Sequence, residues 1–278
     1  MIKKIVDNRN YIILFIIILL IILIIVNKKE TQKTKAFNYF NEDIVINLYT
    51  NKDTNKVFDQ IDKIYKRYNQ CYQKSDNNLD CKDLLKYGKN IYKKTNGLVD
   101  ITSAKLLEAK EEGKEYDFTT TIDKINLNDK KTLKNINTES IIGAFATKKI
   151  ENYLKKQKIN KYIINEDGNI ITGKHYNNKK YKVSLMDKGG NLIKIISLEN
   201  EALAVKGNTQ KFKPYMINPK TNEKIKNDNI VAVITDDINK ANTYANVLYL
   251  MSKEAGMNYV KDKGIKVIWY IDGKIYKN

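Results

Sequence analysis

The sequence predicts an α+β domain behind one N-terminal membrane-spanning segment, and three observations support this class. Segments with alternating apolar residues and segments with apolar residues three and four positions apart are mixed without regular alternation, which argues against a doubly wound sheet. The chain has 278 residues, of which 42% are hydrophobic, so it can bury the core of one large or two small domains. A long uncharged apolar run lies near the N-terminus.

The N-terminal run, YIILFIIILLIILIIV at residues 11–26, contains no charge, glycine or proline. As a helix it spans roughly 24 Å, and Arg9, Lys28 and Lys29 can reach the two membrane interfaces. A cleaved signal peptide is the alternative, but no small-residue cleavage pattern follows Val26. We therefore predict an N-terminal flank at 1–10, a retained anchor at 11–26, a polar linker at 27–36 and a folded domain at 37–278. Charge alone leaves the orientation open, because lysines flank both ends.

Within the domain, strands and helices are assigned from hydrophobic periodicity and from turn signals such as Asn96-Gly97 and Asp272-Gly273. Strands are predicted at 43–50, 125–129, 161–165, 180–187, 191–200, 202–207 and 229–237, with a closing hairpin at 266–278. Helices are predicted at 57–72, 82–95, 141–157 and 238–253.

Net charge and cysteine content bear on which partners the domain can bind and on whether it contains a disulfide. The net charge of +18 favours anionic partners, but the lysines are spread along the chain, and no helix-turn-helix, RNP or zinc pattern is present, so nucleic-acid binding is not expected. Cys71 and Cys81 flank a polar, turn-like stretch. They can form a disulfide or remain free thiols.

Several chemistries are disfavoured by the residues present. His175 is the only histidine, and its polar neighbours predict a solvated loop. No phosphate-binding P-loop and no dinucleotide-binding glycine pattern occurs, and the cysteines lack a plausible catalytic partner. Residue chemistry alone therefore indicates no active site.

Five stretches, in order, resemble motifs of the FAD:protein FMN transferase (ApbE-type) family from about Phe37 to the C-terminus. NGLVDIT at 96–102 is similar to G-x-F-D-x-T, and NTESIIGAFATKKIENYLKK at 137–156 to D-L-G-G-I-A-K-G-Y-A-V-D. YIINEDGNI at 162–170 is similar to N-x-G-G-[ND]-I. The stretch 202–225 resembles A-T-S-G-D-Y followed by H-I-[IL]-D-P-x-T-G, and 231–251 resembles the family's last helix. The resemblance implies mixed or antiparallel sheets with helices, FAD as substrate, Mg²⁺, and transfer of FMN to a threonine or serine.

The family's lysine at the entry of the third helix falls on Gly143 here, and its paired glycines fall on Glu139 and Ser140. A positive side chain there suits the pyrophosphate of FAD, so its replacement by glycine disfavours catalysis. Lys148 and Lys149 lie more than a turn further along the helix. No residue is therefore assigned a catalytic role.

The metal and flavin positions follow from the same resemblance. The family's Mg²⁺ ligands, an aspartate, a threonine and a backbone carbonyl, correspond to Asn242, Asn246 and Ser140, which offer no carboxylate. The flavin-contacting segment corresponds to Leu98, Val99 and Asp100, and Tyr215 or Tyr68 could stack on the flavin ring. The alternative is that these are ordinary core or turn residues.

Three functions remain open from the sequence. The first is active, Mg²⁺-dependent FMN transfer from FAD to a target protein. The second, which we favour, is a non-catalytic family member that holds flavin or binds a membrane or extracytoplasmic protein. The third is a basic, envelope-associated interaction domain. In each case we expect the domain outside the cytoplasm, held at the cell membrane by one helix.

Overall fold

An eight-stranded antiparallel sheet forms the centre of the computed structural model. The structure describes Tyr11 and residues 14–18, 30–73, 79–103, 109, 112–114, 121–124, 126, 136–166, 168–207, 209, 217–221, 223–225 and 228–278. From one edge of the sheet to the other, its strands are β1 (Thr31–Tyr39), β2 (Glu42–Thr50), β3 (Tyr162–Glu166), β4 (Asn169–Thr172), β7 (Ala202–Gly207), β10 (Ile230–Thr235), β11 (Lys266–Ile271) and β12 (Lys274–Lys277). Every neighbouring pair is antiparallel.

The described part of the domain also has five helices. Together with one face of the sheet they form the larger of its two hydrophobic cores. They are α1 (Asn55–Gln73), α2 (Leu79–Lys94), α3 (Glu139–Lys156), α4 (Ile238–Tyr249) and α5 (Lys253–Val260). Helix α4 contacts β7 and β10, and α3 packs against α4 and α1. The α+β class with an antiparallel sheet and packed helices is thus confirmed.

The opposite face of the sheet is covered by a separate hairpin of β5 (Tyr181–Met186) and β6 (Leu192–Leu198). Leu185, Ile196 and Leu198 from this hairpin pack with sheet residues such as Leu203 and Ile230 in a second core. A short pair, β8 (Ile217–Asn218) and β9 (Glu223–Lys224), forms a third, two-stranded sheet. The two cores divide each central strand into a helix-facing and a hairpin-facing side.

Side-chain alternation explains which face of each strand is buried against the helices. In β2, Ile44, Ile46 and Leu48 are fully buried in the helix-side core. Tyr162 and Ile164 of β3 lie in the same core, as do Ala202 and Ala204 of β7. Successive side chains of a strand point to opposite faces, so this pattern fixes the orientation of every remaining position in these strands.

The differences between prediction and structure include the linker and the last long helix. Strand β1 begins at Thr31, inside the predicted linker 27–36. The prediction missed it because most of its side chains are exposed and the residues before Phe37 show no apolar alternation. The predicted helix 238–253 ends at Tyr249. Ser252 then caps a new helix, α5, by accepting a hydrogen bond from the Ala255 N–H (3.2 Å). The predicted strand 125–129 lies, except for Asn126, outside the described residues.

The predicted membrane anchor lies mostly outside the described residues. Of 11–26, only Tyr11 and 14–18 are described; they are helical, with side chains 47–71% exposed. None of the helices that the structure describes is both long and apolar enough to span a bilayer. The membrane-spanning helix is therefore not supported by the structure and stays a prediction.

Of the two alternatives for the cysteines, the structure has the disulfide. Cys71 in α1 is bonded to Cys81 in α2, with Cα atoms 5.6 Å apart, and both side chains are buried in the helix-side core. The bond joins the end of one helix to the beginning of the next.

Candidate functional site

The segment that begins at Leu98 forms a tight turn beside the N-terminus of α3. Asp100 is buried, and its Oδ1 accepts hydrogen bonds from the Thr102 N–H (2.9 Å) and hydroxyl (2.8 Å). The Ile122 N–H donates to the same carboxylate at 3.3 Å. Burial raises the pKa of Asp100, and these hydrogen bonds oppose the shift. The Asp100 carboxylate thus stabilises the turn in which it lies by accepting hydrogen bonds from Thr102 and Ile122.

This turn is tied to the start of α3 through the backbone. The Asn137 N–H donates to the Ile101 carbonyl at 2.7 Å, two residues before α3 begins. Val99 is buried, and Leu98 packs at the edge of the helix-side core. The structure therefore ties the turn that holds three predicted flavin-contacting residues to the segment just before α3, whereas Tyr215 lies outside the described residues.

The three predicted metal-site residues meet where α3 and α4 cross. Asn242 Nδ2 donates to the Ser140 carbonyl at 2.8 Å, and Asn246 Nδ2 donates to the same oxygen at 3.2 Å. Both asparagines are 1% exposed. Their Oδ1 atoms are buried and accept no hydrogen bond from the described part of the chain.

This arrangement does not fit Mg²⁺. The groups that face the carbonyl are N–H donors, whereas a hard cation requires oxygen ligands, usually including a carboxylate. Reversing both amides would place three neutral oxygens together with no donor and no negative charge. Among the described residues no group of three or more His, Cys, Asp or Glu could hold a metal ion. Two hydrogen bonds join the helices at the position where the resemblance implies a metal.

Gly143 lies one turn into α3, directly against the sheet. A Cβ atom at this position would lie 2.5 Å from Glu166 Oε1 and 2.6 Å from its Cδ, closer than real Cβ contacts allow. Glu166 is completely buried, and its Oε2 accepts a hydrogen bond from the Thr147 hydroxyl at 3.2 Å. Because that hydroxyl donates to Glu166, the Tyr65 hydroxyl, 3.3 Å from Thr147 Oγ1, is the donor to threonine.

A buried lysine on β7 faces the same region. Lys206 is 6% exposed and continues the helix-facing side of β7 after Ala202 and Ala204. Burial lowers the pKa of its amine, and the nearby carboxylates of Glu42, Glu166 and Glu139 oppose this shift without cancelling it. Sequence analysis missed this cluster, although Glu166 and Lys206 both stand at core-facing positions of alternating strands, a detectable signal.

The two lysines that could have reached back along α3 are engaged elsewhere. Lys148 Nζ lies 2.6 Å from Glu151 Oε2 and 2.8 Å from Asp237 Oδ2. Burial lowers the pKa of Lys148, but hydrogen bonds to Asp237 and Glu151 outweigh it, so the pKa lies above its ordinary value. Lys149 pairs with Asp83 at 2.8 Å. Neither compensates for the glycine at 143.

Two further aromatic expectations can be compared with the structure. Tyr68 is 2% exposed and packs edge-to-face on Phe145, so it is a core residue with no open face. His175 is 8% exposed and packs between Tyr176 and Tyr181, so the prediction that it is solvated is wrong. Neighbouring tyrosines bury it, which its polar sequence context did not indicate.

A cavity of about 470 Å³ opens on the other side of α4, between α2 and α5. This volume is within the usual range for small-molecule sites. Burial raises the pKa of Tyr87 in its wall to about 12, and Asn239 Oδ1 is buried without a hydrogen-bond partner in the described part of the chain. The ring and amine groups of the lining come from Tyr87, Tyr244, Tyr259, Lys94 and Lys240.

Comparison with known proteins identifies the fold and the family. The ApbE family model matches residues 40–269, which is most of the chain and includes every described part of the site. The chain belongs to the ApbE family. No curated protein sequence matches it.

Solved ApbE structures share the fold at low sequence identity. The flavin transferase ApbE from Vibrio cholerae matches with a TM-score of 0.73 and 17% identity, covering 90% of this chain and 97% of that one. The apo flavinyl transferase ApbE from Pseudomonas stutzeri gives 0.71 and 13%, covering 90% and 94%. The ApbE protein from Thermotoga maritima gives 0.72 and 15%, covering 89% and 97%. At these identities the likeness establishes the fold of this ApbE-family chain.

Proposed function

We propose that this ApbE-family chain is a degenerate member that binds flavin or a protein partner and does not carry out Mg²⁺-dependent FMN transfer. One observation carries the proposal: the amide N–H groups of Asn242 and Asn246 donate to the Ser140 carbonyl at the position where the family resemblance implies a metal ion. Without a carboxylate, these residues offer Mg²⁺ too little negative charge.

The charges at the start of α3 support the same proposal. Gly143 provides no cation, Glu139 in the first turn is acidic, and Glu166 fills the space beside Gly143. A pyrophosphate needs positive charge or free N–H donors, so carboxylates at this position oppose its binding. Lys148 and Lys149, which could have supplied the charge, are held in ion pairs.

Binding of a flavin or a partner group is supported by the cavity beside α4. Its three tyrosine rings offer stacking surfaces, and Lys94 offers positive charge. Lys240 also lines the cavity, with its amine 3.6 Å from Asp236 Oδ1. Aromatic rings and lysine amines together suit a ligand with a planar ring and an anionic group, which describes a flavin nucleotide. The same groups suit an acidic, aromatic segment of a partner protein.

We also propose that the domain is tethered at the outer side of the cell membrane. The residues of the N-terminal apolar segment that the structure describes are helical, and their side chains are about half exposed rather than packed into the domain. The Cys71–Cys81 disulfide is typical of an oxidising compartment.

The second candidate is an active FMN transferase that modifies a threonine or serine of a target flavoprotein. It is favoured by the family match across residues 40–269 and by the likeness to proteins described as flavin transferases. The third, a basic interaction domain of the cell envelope, is favoured only by the net charge of +18.

Incubation of the full-length chain with FAD, Mg²⁺ and an acceptor peptide bearing a family target threonine separates these candidates. We expect no FMN adduct on the acceptor by mass spectrometry, whereas the Vibrio cholerae ApbE serves as a positive control. An adduct that requires both this chain and Mg²⁺ would return active transfer to first place. Flavin absorbance of the purified protein then distinguishes flavin binding from partner binding.

A further inference from the structure

Three ionisable side chains, Glu42, Glu166 and Lys206, occupy one end of the helix-facing side of the sheet. Each continues the buried alternation of its strand: Glu42 precedes Ile44 in β2, Glu166 follows Ile164 in β3, and Lys206 follows Ala204 in β7. These positions are normally apolar, because burying a charge is costly unless an opposite charge or hydrogen bonds accompany it.

The strand register brings the three residues together. Ile44 pairs with Glu166 across β2 and β3, so Glu42 lies at the same end of the sheet as Glu166. The Val205 N–H donates to the Gly168 carbonyl at 3.0 Å, so β7 passes the turn that follows Glu166. Glu166 pairs with Asn169 in β4, and Asn169 pairs with Ala204 in β7. Lys206 lies two residues beyond Ala204 on the same helix-facing side, so it stands at the same end of the sheet.

Helix α3 closes this cluster, and the point of closest approach is a glycine. The Glu166 carboxylate occupies the volume that any side chain at position 143 would need. The carboxylate cannot easily move aside, because Glu166 is completely buried and accepts a hydrogen bond from the Thr147 hydroxyl, which is itself hydrogen-bonded to the Tyr65 hydroxyl.

We propose that Glu166 determines how α3 packs on the sheet: its carboxylate excludes any side chain at position 143, and Lys206 on β7 is the buried cation that accompanies it at the same end of the sheet. The helix therefore presents no side chain of its own to a ligand at this point. The cation that remains lies inside the protein and is balanced by carboxylates. This inference concerns how the site is built and holds whether or not the chain transfers FMN.

The spatial part of the proposal is tested by a double-mutant cycle on the full-length chain. Gly143→Ala should lower the Tm by about 5 °C or more, although alanine favours helix, because of overpacking. In a Glu166→Ala background, Gly143→Ala should lower the Tm much less than it does in the unmodified chain. In a Glu166→Gln background it should lower the Tm as much as in the unmodified chain, because glutamine keeps the volume. Trp269, the only tryptophan, is buried in the helix-side core and reports unfolding by fluorescence.

Gly88→Ala is the matched control for this cycle. Gly88 is a buried glycine of α2, and the nearest atoms that a Cβ there would meet are side-chain carbons of Ile101, at 2.7 Å, and Ile141, at 3.5 Å, rather than a carboxylate. Its loss in Tm should be unchanged by Glu166→Ala. Equal rescue of both glycine variants, or none of Gly143→Ala, would overturn the exclusion of side chains by Glu166.

The charge part is tested by a second cycle between Lys206 and Glu166. Lys206→Met leaves two buried carboxyl groups without their cation and should lower the Tm by about 6 °C or more. Lys206→Met with Glu166→Leu should be clearly more stable than the sum of the single losses predicts. Strictly additive losses would show that the two groups do not interact and would overturn the assignment of Lys206.

Discussion

At the scale of single residues, two asparagines determine how α3 is joined to α4. Each amide donates one hydrogen bond to the Ser140 carbonyl, and such bonds contribute about 1 kcal/mol apiece to stability. An aspartate at either position would have no donor to offer the carbonyl and would need a cation between the two oxygens. The asparagines thus make the contact independent of a metal.

Exchange of one amide for a carboxylate should make this contact sensitive to metal. Asn242→Asp should lower the free energy of unfolding by about 2–4 kcal/mol in a chelator, because a buried carboxylate then faces a carbonyl oxygen. Millimolar Mg²⁺ should restore part of that loss, since a ligand that binds only the folded state stabilises it. Urea unfolding followed by Trp269 fluorescence measures both effects. The unmodified chain and Asn242→Ala should not respond, and Mg²⁺-specific stabilisation of the unmodified chain would contradict this prediction.

At the scale of elements, the disulfide fixes α1 against α2. The bond closes a short loop, because Cys81 lies ten positions after Cys71 in the chain. In the chain-entropy model, closing a loop of that length stabilises the folded state by roughly 2–3 kcal/mol. Both helices pack into the core that also holds Tyr65 and Phe145, so the bond acts close to the candidate site.

Replacement of both cysteines by serine should therefore lower the free energy of unfolding by about 2–3 kcal/mol. A reductant should destabilise the unmodified chain by a similar amount and leave the double variant unchanged. Equilibrium urea unfolding with and without dithiothreitol provides the measurement. If the reductant has no effect on the unmodified chain, the disulfide does not contribute to its stability.

The elements that sequence analysis predicted share one property: one of their faces is apolar. Strand β2 and helices α1 and α3 were found because apolar residues recur in each at the spacing of a strand or a helix. Ile44, Ile61 and Ile150, one from each element, are completely buried. Strand β1 was missed because, apart from Ala36, it carries only polar residues before Phe37 and pairs along its whole length with β2. The Asn242, Asn246 and Ser140 positions came from motif order, but the direction of the amides depends on tertiary contacts.

The buried charges show why the rest of the site was not predicted. Periodicity analysis relies on apolar residues, so Glu166 fell just outside the predicted strand 161–165, and Lys206, inside the predicted strand 202–207, was not assigned to the core although both residues are buried. Their burial depends on each other and on Gly143, which is far away in the chain. Only the fold brings these three positions together.

At the scale of the whole molecule, the proposed tether and the disulfide both indicate a domain outside the cytoplasm. Protease added to intact cells should digest the domain, because it would then be accessible from outside. Western blotting against a C-terminal tag, with a cytoplasmic protein as the control for lysis, gives the measurement. Complete protection in intact cells, with digestion only after lysis, would reverse the proposed orientation.

The order of the sheet leaves β1 and β12 as its two outermost strands. An unpaired strand edge is a template for pairing with another chain, and lysine side chains on such edges discourage that pairing. Strand β1 carries Lys33 and Lys35, and β12 carries Lys274 and Lys277. These lysines should therefore discourage β-sheet aggregation at both borders, a protection that the crowding implied by the proposed membrane tether would require.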